Sequence, residues 1–504
     1  MTGRWTVLAV LATAPLAAQA RPAETITEAD VRSRVNIIAD DSMGGRDTPS
    51  PGLEKTAQYV AREFQRMGLR PAWGTAGFFQ RYAVGVRHID PVRSKLAIKG
   101  PGGATVSLTL GRDAMLTFGA PGTGVTSADL VMVGGKVTDA DKLDPAAVRG
   151  KGIVFAGDWT NGRPKGVSMV ASAVLTGVSR FAILMVNGQW TYALPKDSAS
   201  LNPMARAGGD WFLAAVRDSS ALAGVAALAD PLRRVRAAAG LTVLPLAGWT
   251  ASFSVTATDD TPVMVPNVAA VLEGSDPELK REYVVISGHI DHVGTRCGGR
   301  TPSDSICNGA DDDASGSAGV LEIAEAFAGS PTPPKRSIIF LAVSGEERGL
   351  WGSDVFGATP PVPIGQIVAN LNMDQLGRNW KDTVVVIGTE HSDLGKTLAT
   401  VAAEHPEIGM QPTGDKWPAE NIYYRSDHFN FARRGVPILF FTSGFHPDYH
   451  QVTDSPDKVD AEKEARMLRL IYHVADRVAN QPNRPRWNPE SYTKIVDPSY
   501  RPTP

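Results

Sequence analysis

The chain has 504 residues and carries 51 Lys and Arg against 53 Asp and Glu, a formal charge of −2 at pH 7. Its 43% hydrophobic and 21% charged content are globular values, and the length exceeds what one ordinary core organises, so two or three domains are expected. Near-neutrality without a dense basic run excludes an electrostatic footprint for nucleic acid or anionic lipid.

The chain starts MTGRWTVLAVLATAPLAAQA, with one basic residue, an apolar run from Trp5 to Leu16, and Ala18-Gln19-Ala20. The run is too short to span a bilayer as a helix, but it suits a secretory leader with an A-x-A cleavage site, residues 1–20. Export to a periplasm or the cell exterior is expected, with no membrane span in the mature chain. In residues 21–120, the stretch from about Thr25 to Gln80 has helical periodicity on both sides of the Gly/Pro-rich turn DDSMGGRDTPSPG, and two helices are expected there. Residues 121–246 change texture to short Val/Ala/Gly strands such as ADLVMVGG and GKGIVFAGDW, which predicts a separate β-rich insert.

In residues 247–480, buried strand-like runs alternate with helical patterns: YVVISG, ASGSAGVLEIAEAFAG, RSIIFLAVSG, TVVVIG and GVPILFFTSG. That alternation predicts an α/β fold, a mostly parallel mixed sheet sandwiched by helices. Residues 481–504 form a Pro-rich tail to which no chemistry is assigned. Cys297 and Cys307 lie ten apart in the turn-rich loop CGGRTPSDSIC, and in an exported protein they are expected to pair as a disulfide.

Ligands of open α/β sheets bind beyond the carboxyl ends of the strands. There the first strand, in REYVVISGHIDHVG, delivers His289, Asp291 and His292. NGADDDASG then brings Asp311, Asp312 and Asp313 to a helix start, where carboxylates are also favoured simply as caps. RSIIFLAVSG ends in Glu346-Glu347, QIVANLNMDQLGR places Asp374 after an apolar stretch, and GFHPDYHQVTD supplies His446 and His450. Each has an ordinary structural explanation alone. Together, His, Asp, Glu, Asp and His at successive element ends suit Zn2+, with Mn2+ or Co2+ as lesser candidates. Five donors exceed what one zinc takes from protein and fit two ions sharing a bridging carboxylate.

At these residues the chain resembles the co-catalytic dizinc aminopeptidases of the bacterial leucyl aminopeptidase type, relatives of glutamate carboxypeptidase. The motifs are SGHIDHVG, NGADDDASG, SGEERGLWGS, NLNMDQLGR, YYRSDHFNFARRGVP and DYHQVTDSPDKVD, with DDSMGGRDTPSPG upstream. The resemblance implies a zinc exopeptidase fold with an inserted protease-associated domain, and two zinc ions. His289 and Asp374 would bind one ion, Glu347 and His450 the other, and Asp312 would bridge. Asp291 would hold the His289 ring, Glu346 would be the general base, and Tyr423 a helper of the oxyanion. Peptides are the implied substrates, with an aminopeptidase favoured over a carboxypeptidase, an acyl-amino-acid hydrolase or a silent binding ectodomain. Arg348, Arg378, Lys416 and Arg425 leave open which substrate terminus is recognised. A Ser426-Asp427-His428 triad is rejected, because three consecutive residues cannot align as nucleophile, base and orienter. Oligomeric state and side-chain preference are not legible.

Overall fold

The computed structural model describes residues 22–497 and 500, apart from 91–92, 110–112, 120–123, 138–140, 158, 161–162, 176–177, 187–197, 204–211, 218–225 and 260. The expected leader, residues 1–20, lies outside the described residues. No helix among those described is long and apolar enough to cross a membrane.

The two expected amino-terminal helices are Glu28–Ile38 and Pro51–Arg66. Thr27 caps the first by accepting from the Asp30 N–H, and Ser50 caps the second by accepting from the Leu53 N–H, with Pro51 in the first turn. The turn between them must pass close to a neighbouring loop. At Gly45 φ is +68°, and a Cβ there would sit 2.4 Å from the Gly294 carbonyl oxygen. Glycine meets both demands. The turn thereby drives the fully buried Arg46 inward, where its guanidinium donates to the carbonyls of Ile38 (3.0 Å), Ile290 (2.9 Å), Asn308 (2.6 Å) and Gly309 (2.9 Å). One side chain thus ties a helix end, a strand end and the loop leading to Asp311.

Among the described residues the main sheet has 11 strands. Its centre is parallel, with Ser337–Val343, Tyr283–His289, Ile367–Met373 and Ile438–Thr442 side by side in that order. Val263–Leu272 and then Phe79–Ile89 extend one side antiparallel, and Thr383–Ile387 joins the other side antiparallel. The sheet is therefore mixed, with parallel pairing concentrated where the strands are buried on both faces and read as continuous apolar runs. Helices Glu28–Ile38, Pro51–Arg66, Gly316–Ala328 and Ala461–Asn480 cover one face around Phe64, Leu321, Phe340 and Leu468. Trp351–Ala358 and His428–Ala432 cover the other around Phe356, Phe431 and Phe440.

A second sheet of eight strands has its own core around Leu96, Phe181 and Phe253. It takes in Lys95–Lys99, Thr105–Thr109 and Ala114–Gly119, and it continues through Thr242–Val255. The strands of this sheet run from Lys95 to Val255, beyond the sequence bounds of 121 and 246 at both ends. The tail is also more ordered than its composition implies. It contains a helix, Pro489–Ile495, capped by Asn488, and Trp487 Nε1 donates to the Gly435 carbonyl at 2.9 Å.

Candidate metal centre

The strand Tyr283–His289 ends at the mouth of the parallel block, and the helix Gly316–Ala328 starts directly over it. A Cβ at Gly316 would lie 2.4 Å from Asp313 Oδ1 and 2.6 Å from the Met373 carbonyl oxygen, so only glycine lets the helix approach. This close approach brings the Asp311 to Asp313 triplet against His289. The three acids then divide by partner. Asp313 accepts from the backbone N–H groups of His289 (3.0 Å), Gly316 (2.8 Å) and Gln375 (3.2 Å), so it ties three segments together. Asp311 accepts from the Gly377 N–H at 2.5 Å and pairs with His446 Nε2 at 3.2 Å. Asp312 alone faces both histidines: its Oδ1 is 3.3 Å from His289 Nε2 and its Oδ2 is 3.0 Å from His450 Nε2.

Asp374 Oδ1 lies 3.6 Å from His289 Nε2, and Glu347 Oε2 lies 3.1 Å from His450 Nε2. The five sequence-predicted donors therefore converge as two sets, His289 with Asp374 and Glu347 with His450, sharing Asp312. His446 is not among them, because Asp311 holds it. The converging atoms fit a cation. His289 Nε2, Asp312 Oδ2, Glu347 Oε1, Asp374 Oδ1 and His450 Nε2 are all buried, crowd against one another and His292, and make no well-directed hydrogen bond among the described residues. Five orphaned polar atoms in one place would be costly in a site built to hold nothing.

Supporting contacts fix these side chains. His289 Nδ1 is 3.1 Å from the Asp291 carbonyl oxygen and 3.6 Å from Asp291 Oδ1, the outer partner that a ligating imidazole requires. Asp291 in turn accepts from Thr48 Oγ1 (3.1 Å) and from the Glu346 N–H (3.1 Å), which links His289 to the loop of the two glutamates. Within the central strands, Asn370 Nδ2 donates to Ser287 Oγ, Ser287 Oγ to Asn372 Oδ1, Asn372 Nδ2 to Ser426 Oγ, and Ser426 Oγ to Asp374 Oδ2, at 2.7 to 3.0 Å. This chain satisfies polar groups that an apolar strand could not otherwise bury. On the opposite side, the Cys297–Cys307 disulfide is present, and the Gly298 N–H within its loop donates to the His450 carbonyl at 2.9 Å.

Glu346 and Glu347 point differently. Glu347 meets His450 and also His292, whose Nδ1 is 2.9 Å from Glu347 Oε1. Glu346 instead lines a cavity with Asp312, Asp374, Gln375, Ile422, Arg425, Phe440, Phe445 and Tyr449. Burial pushes its carboxyl well above the usual range, and Glu347, Asp427 and Asp374 push it further. Asp312 goes the other way. Burial opposes its charge, yet the His289 and His450 contacts hold it well below the usual range.

Tyr423 lies away from the cavity. The turn Ile422–Tyr424 directs it into the core beside Phe429 and Phe440, with its ring edge-on to His391 at 4.8 Å, and it does not line the cavity. Tyr449 does, stacked on His450 at 4.0 Å. His292 was the other residue without an assigned role. The signal for it was present, as the second histidine of HIDH. Ser426, Asp427 and His428 do not form a triad: Ser426 serves Asp374, while His428 Nε2 lies 2.8 Å from the Tyr423 carbonyl oxygen and its ring stacks on Phe440.

His428 carries a pH prediction. Burial pulls its pKa from 6.5 down to about 3, so the folded state binds fewer protons than the unfolded chain between those values. Its contribution to stability is present above pH 6.5 and is lost as pH falls toward 3. Between about pH 6.5 and pH 5 the loss is about 2 kcal/mol. Urea unfolding of chelator-treated protein at the two pH values measures it, and His428→Asn is expected to flatten the difference. An equal pH dependence in the variant would exclude His428 as its source.

Residues 267–475 match the profile of Peptidase family M28. A probable zinc metalloprotease of Leptosphaeria maculans is 35% identical over 205 residues, covering 36% of this chain and 46% of that protein. One of Pyricularia oryzae is 34% identical over 271 residues, covering 45% and 52%. The chain spans about half the length of these curated relatives. Among solved structures, an aminopeptidase from Aneurinibacillus sp. strain AM-1 aligns with a TM-score of 0.49 at 18% identity, over 92% of this chain and 96% of that one. A zinc aminopeptidase from Bacillus subtilis aligns with a TM-score of 0.47 at 16% identity, over 94% and 99%. All seven residues His289, Asp291, Asp312, Glu346, Glu347, Asp374 and His450 fall inside the segment, residues 267–475, that is similar to Peptidase family M28.

Proposed function

We propose that the protein is an exported zinc-dependent peptidase that removes amino-terminal residues from peptides. The observation that carries this reading is the pair of donor sets joined by Asp312 and set beside Glu346 in one cavity. His289 and Asp374 would hold one zinc, Glu347 and His450 the other, and Asp312 would bridge. When bound, zinc supplies Lewis acidity toward the attacking water and the scissile carbonyl. Glu346 takes the proton from that water at its carboxylate oxygen and returns it to the leaving amine. Asp291 keeps the His289 ring in one orientation throughout. The preference for aminopeptidase over carboxypeptidase action rests on the resemblance of the site motifs to the dizinc aminopeptidases. The orphaned buried donors weigh against a silent binding ectodomain. Export rests on the sequence of residues 1–20.

Zinc-loaded protein is expected to hydrolyse Leu-Leu-amide and to leave N-acetyl-Leu-Leu-amide intact. Equal cleavage of the two would exclude an amino-terminal requirement. Cleavage of N-acetyl-Leu-Leu with release of free leucine would favour the carboxypeptidase alternative.

A further inference from the structure

Four cations in the site loops bear on which end of a substrate is held, and the structure separates them. Arg348 is committed to Asp47, with Nη2 at 2.8 and 3.0 Å from the two carboxylate oxygens, and its Nε donates to the Thr48 carbonyl at 3.2 Å. Arg378 is held by Asp448 and lies 3.7 Å from Asp454. Lys416 sits 4.7 Å over the Trp380 ring and does not line the cavity. Arg425 does line it, together with Asp312, Glu346 and Asp374, and it is the one cation in that lining among the described residues.

Its surroundings organise it. The guanidinium carbon lies 4.9 Å from the centre of the Phe445 ring, and Nη1 pairs with Glu420 at 2.9 Å. Stacking on a ring fixes the plane of the fork, and the Glu420 pair, with both side chains about half exposed, is of a kind that contributes little in water. A planar guanidinium presented this way matches a carboxylate with two parallel hydrogen bonds. Arg425 and Glu346 line the same cavity, so a carboxylate reaching Arg425 lies within one or two residues of the bond beside Glu346. Between them, Ile422, Phe440, Phe445 and Tyr449 supply apolar wall.

We infer that Arg425 binds a substrate carboxylate close to the scissile bond, so that the preferred substrates are di- and tripeptides with a free carboxyl terminus or peptides with an acidic residue next to the cleaved bond. This inference rests on the peptidase reading. The shared chemistry is the carboxylate, and its two sources are separated by substrate design.

The test uses the zinc-loaded full chain with Leu-Leu, Leu-Leu-amide and Leu-Asp-amide, and with zinc content measured in each sample. Wild type is expected to favour at least one carboxylate substrate over Leu-Leu-amide by about 10-fold to 100-fold in kcat/KM, the worth of a charge-assisted pair. Preference for Leu-Leu identifies the terminal carboxylate, and preference for Leu-Asp-amide the side chain. In Arg425→Gln the ratio is expected to collapse toward one, and in Arg425→Lys to fall between. A wild-type ratio near one, or a ratio retained in Arg425→Gln, overturns the inference while hydrolysis of Leu-Leu-amide keeps the peptidase reading. No hydrolysis of any of the three by zinc-loaded wild type overturns both.

Discussion

Glu346→Gln is expected to retain metal at the wild-type level while turnover falls by about 100-fold to 10,000-fold, the range for removing a positioned acid/base. The adjacent change, Glu347→Gln, is expected to lower occupancy of one zinc, because a neutral amide is a poorer ligand than a carboxylate. The two glutamates are neighbours in sequence but not in role. Glu347 has one oxygen 3.1 Å from His450, with which it would share a metal, and the other 2.9 Å from His292. Glu346 has its backbone N–H anchored on Asp291 at 3.1 Å and its side chain in the cavity wall, where a substrate carbonyl would lie. The amide keeps the shape of Glu346 and removes only its capacity to take a proton. Metal analysis alongside kcat for both variants decides the assignment. Full activity in Glu346→Gln, or metal loss confined to that variant, would mean the two roles are reversed or the site is misread.

What could be read from the sequence follows from how local each signal is. The central strands were legible because a strand buried on both faces must be apolar throughout, as in Ser337–Val343 and Ile438–Thr442. Their polar ends were legible for the same reason: His289 and Asp374 stand out against such runs. The Asp311 to Asp313 triplet was different. Nothing in its spacing separates an acid that faces two histidines from one that accepts three backbone N–H groups, and the choice of Asp312 came from family resemblance. Tyr449 was not legible as a cavity residue because turn geometry, which decides which phenol faces the cavity, carries no periodic signal. The membership of Lys95–Lys99 and Thr105–Thr109 in the second sheet was not legible because they are short strands whose pairing partners lie far along the chain, Lys95–Lys99 pairing with Thr250–Ser254. His292 went unassigned because its partner, Glu347, is 55 residues away in sequence and meets it only through the sheet.

Asp312→Asn is expected to weaken both zinc ions at once, whereas Asp374→Asn and Glu347→Gln should each affect mainly one. The geometry makes Asp312 the shared group: its two oxygens face different histidines, His289 at 3.3 Å and His450 at 3.0 Å. Asp313 differs from it, since its oxygens accept from the His289, Gly316 and Gln375 backbone N–H groups and neither faces His450. The amide in Asp312→Asn leaves one oxygen as a weak ligand and turns an NH2 group toward one of the histidines, so charge and donor count are both lost. Because metal binding to the folded state alone adds stability by mass action, about 4 kcal/mol at a thousandfold excess over Kd, wild type should melt higher with zinc than after chelation. That increment should shrink strongly in Asp312→Asn and only in part in the single-site variants. Asp313→Asn should behave differently again, lowering the melting temperature of the chelated protein, because it weakens the ties among the strand end, the helix start and the Gln375 loop. Metal stoichiometry with melting curves taken with and without zinc separates these cases. Two zinc ions held at wild-type affinity by Asp312→Asn would exclude it as the bridge, and an unchanged melting temperature of chelated Asp313→Asn would remove its structural role.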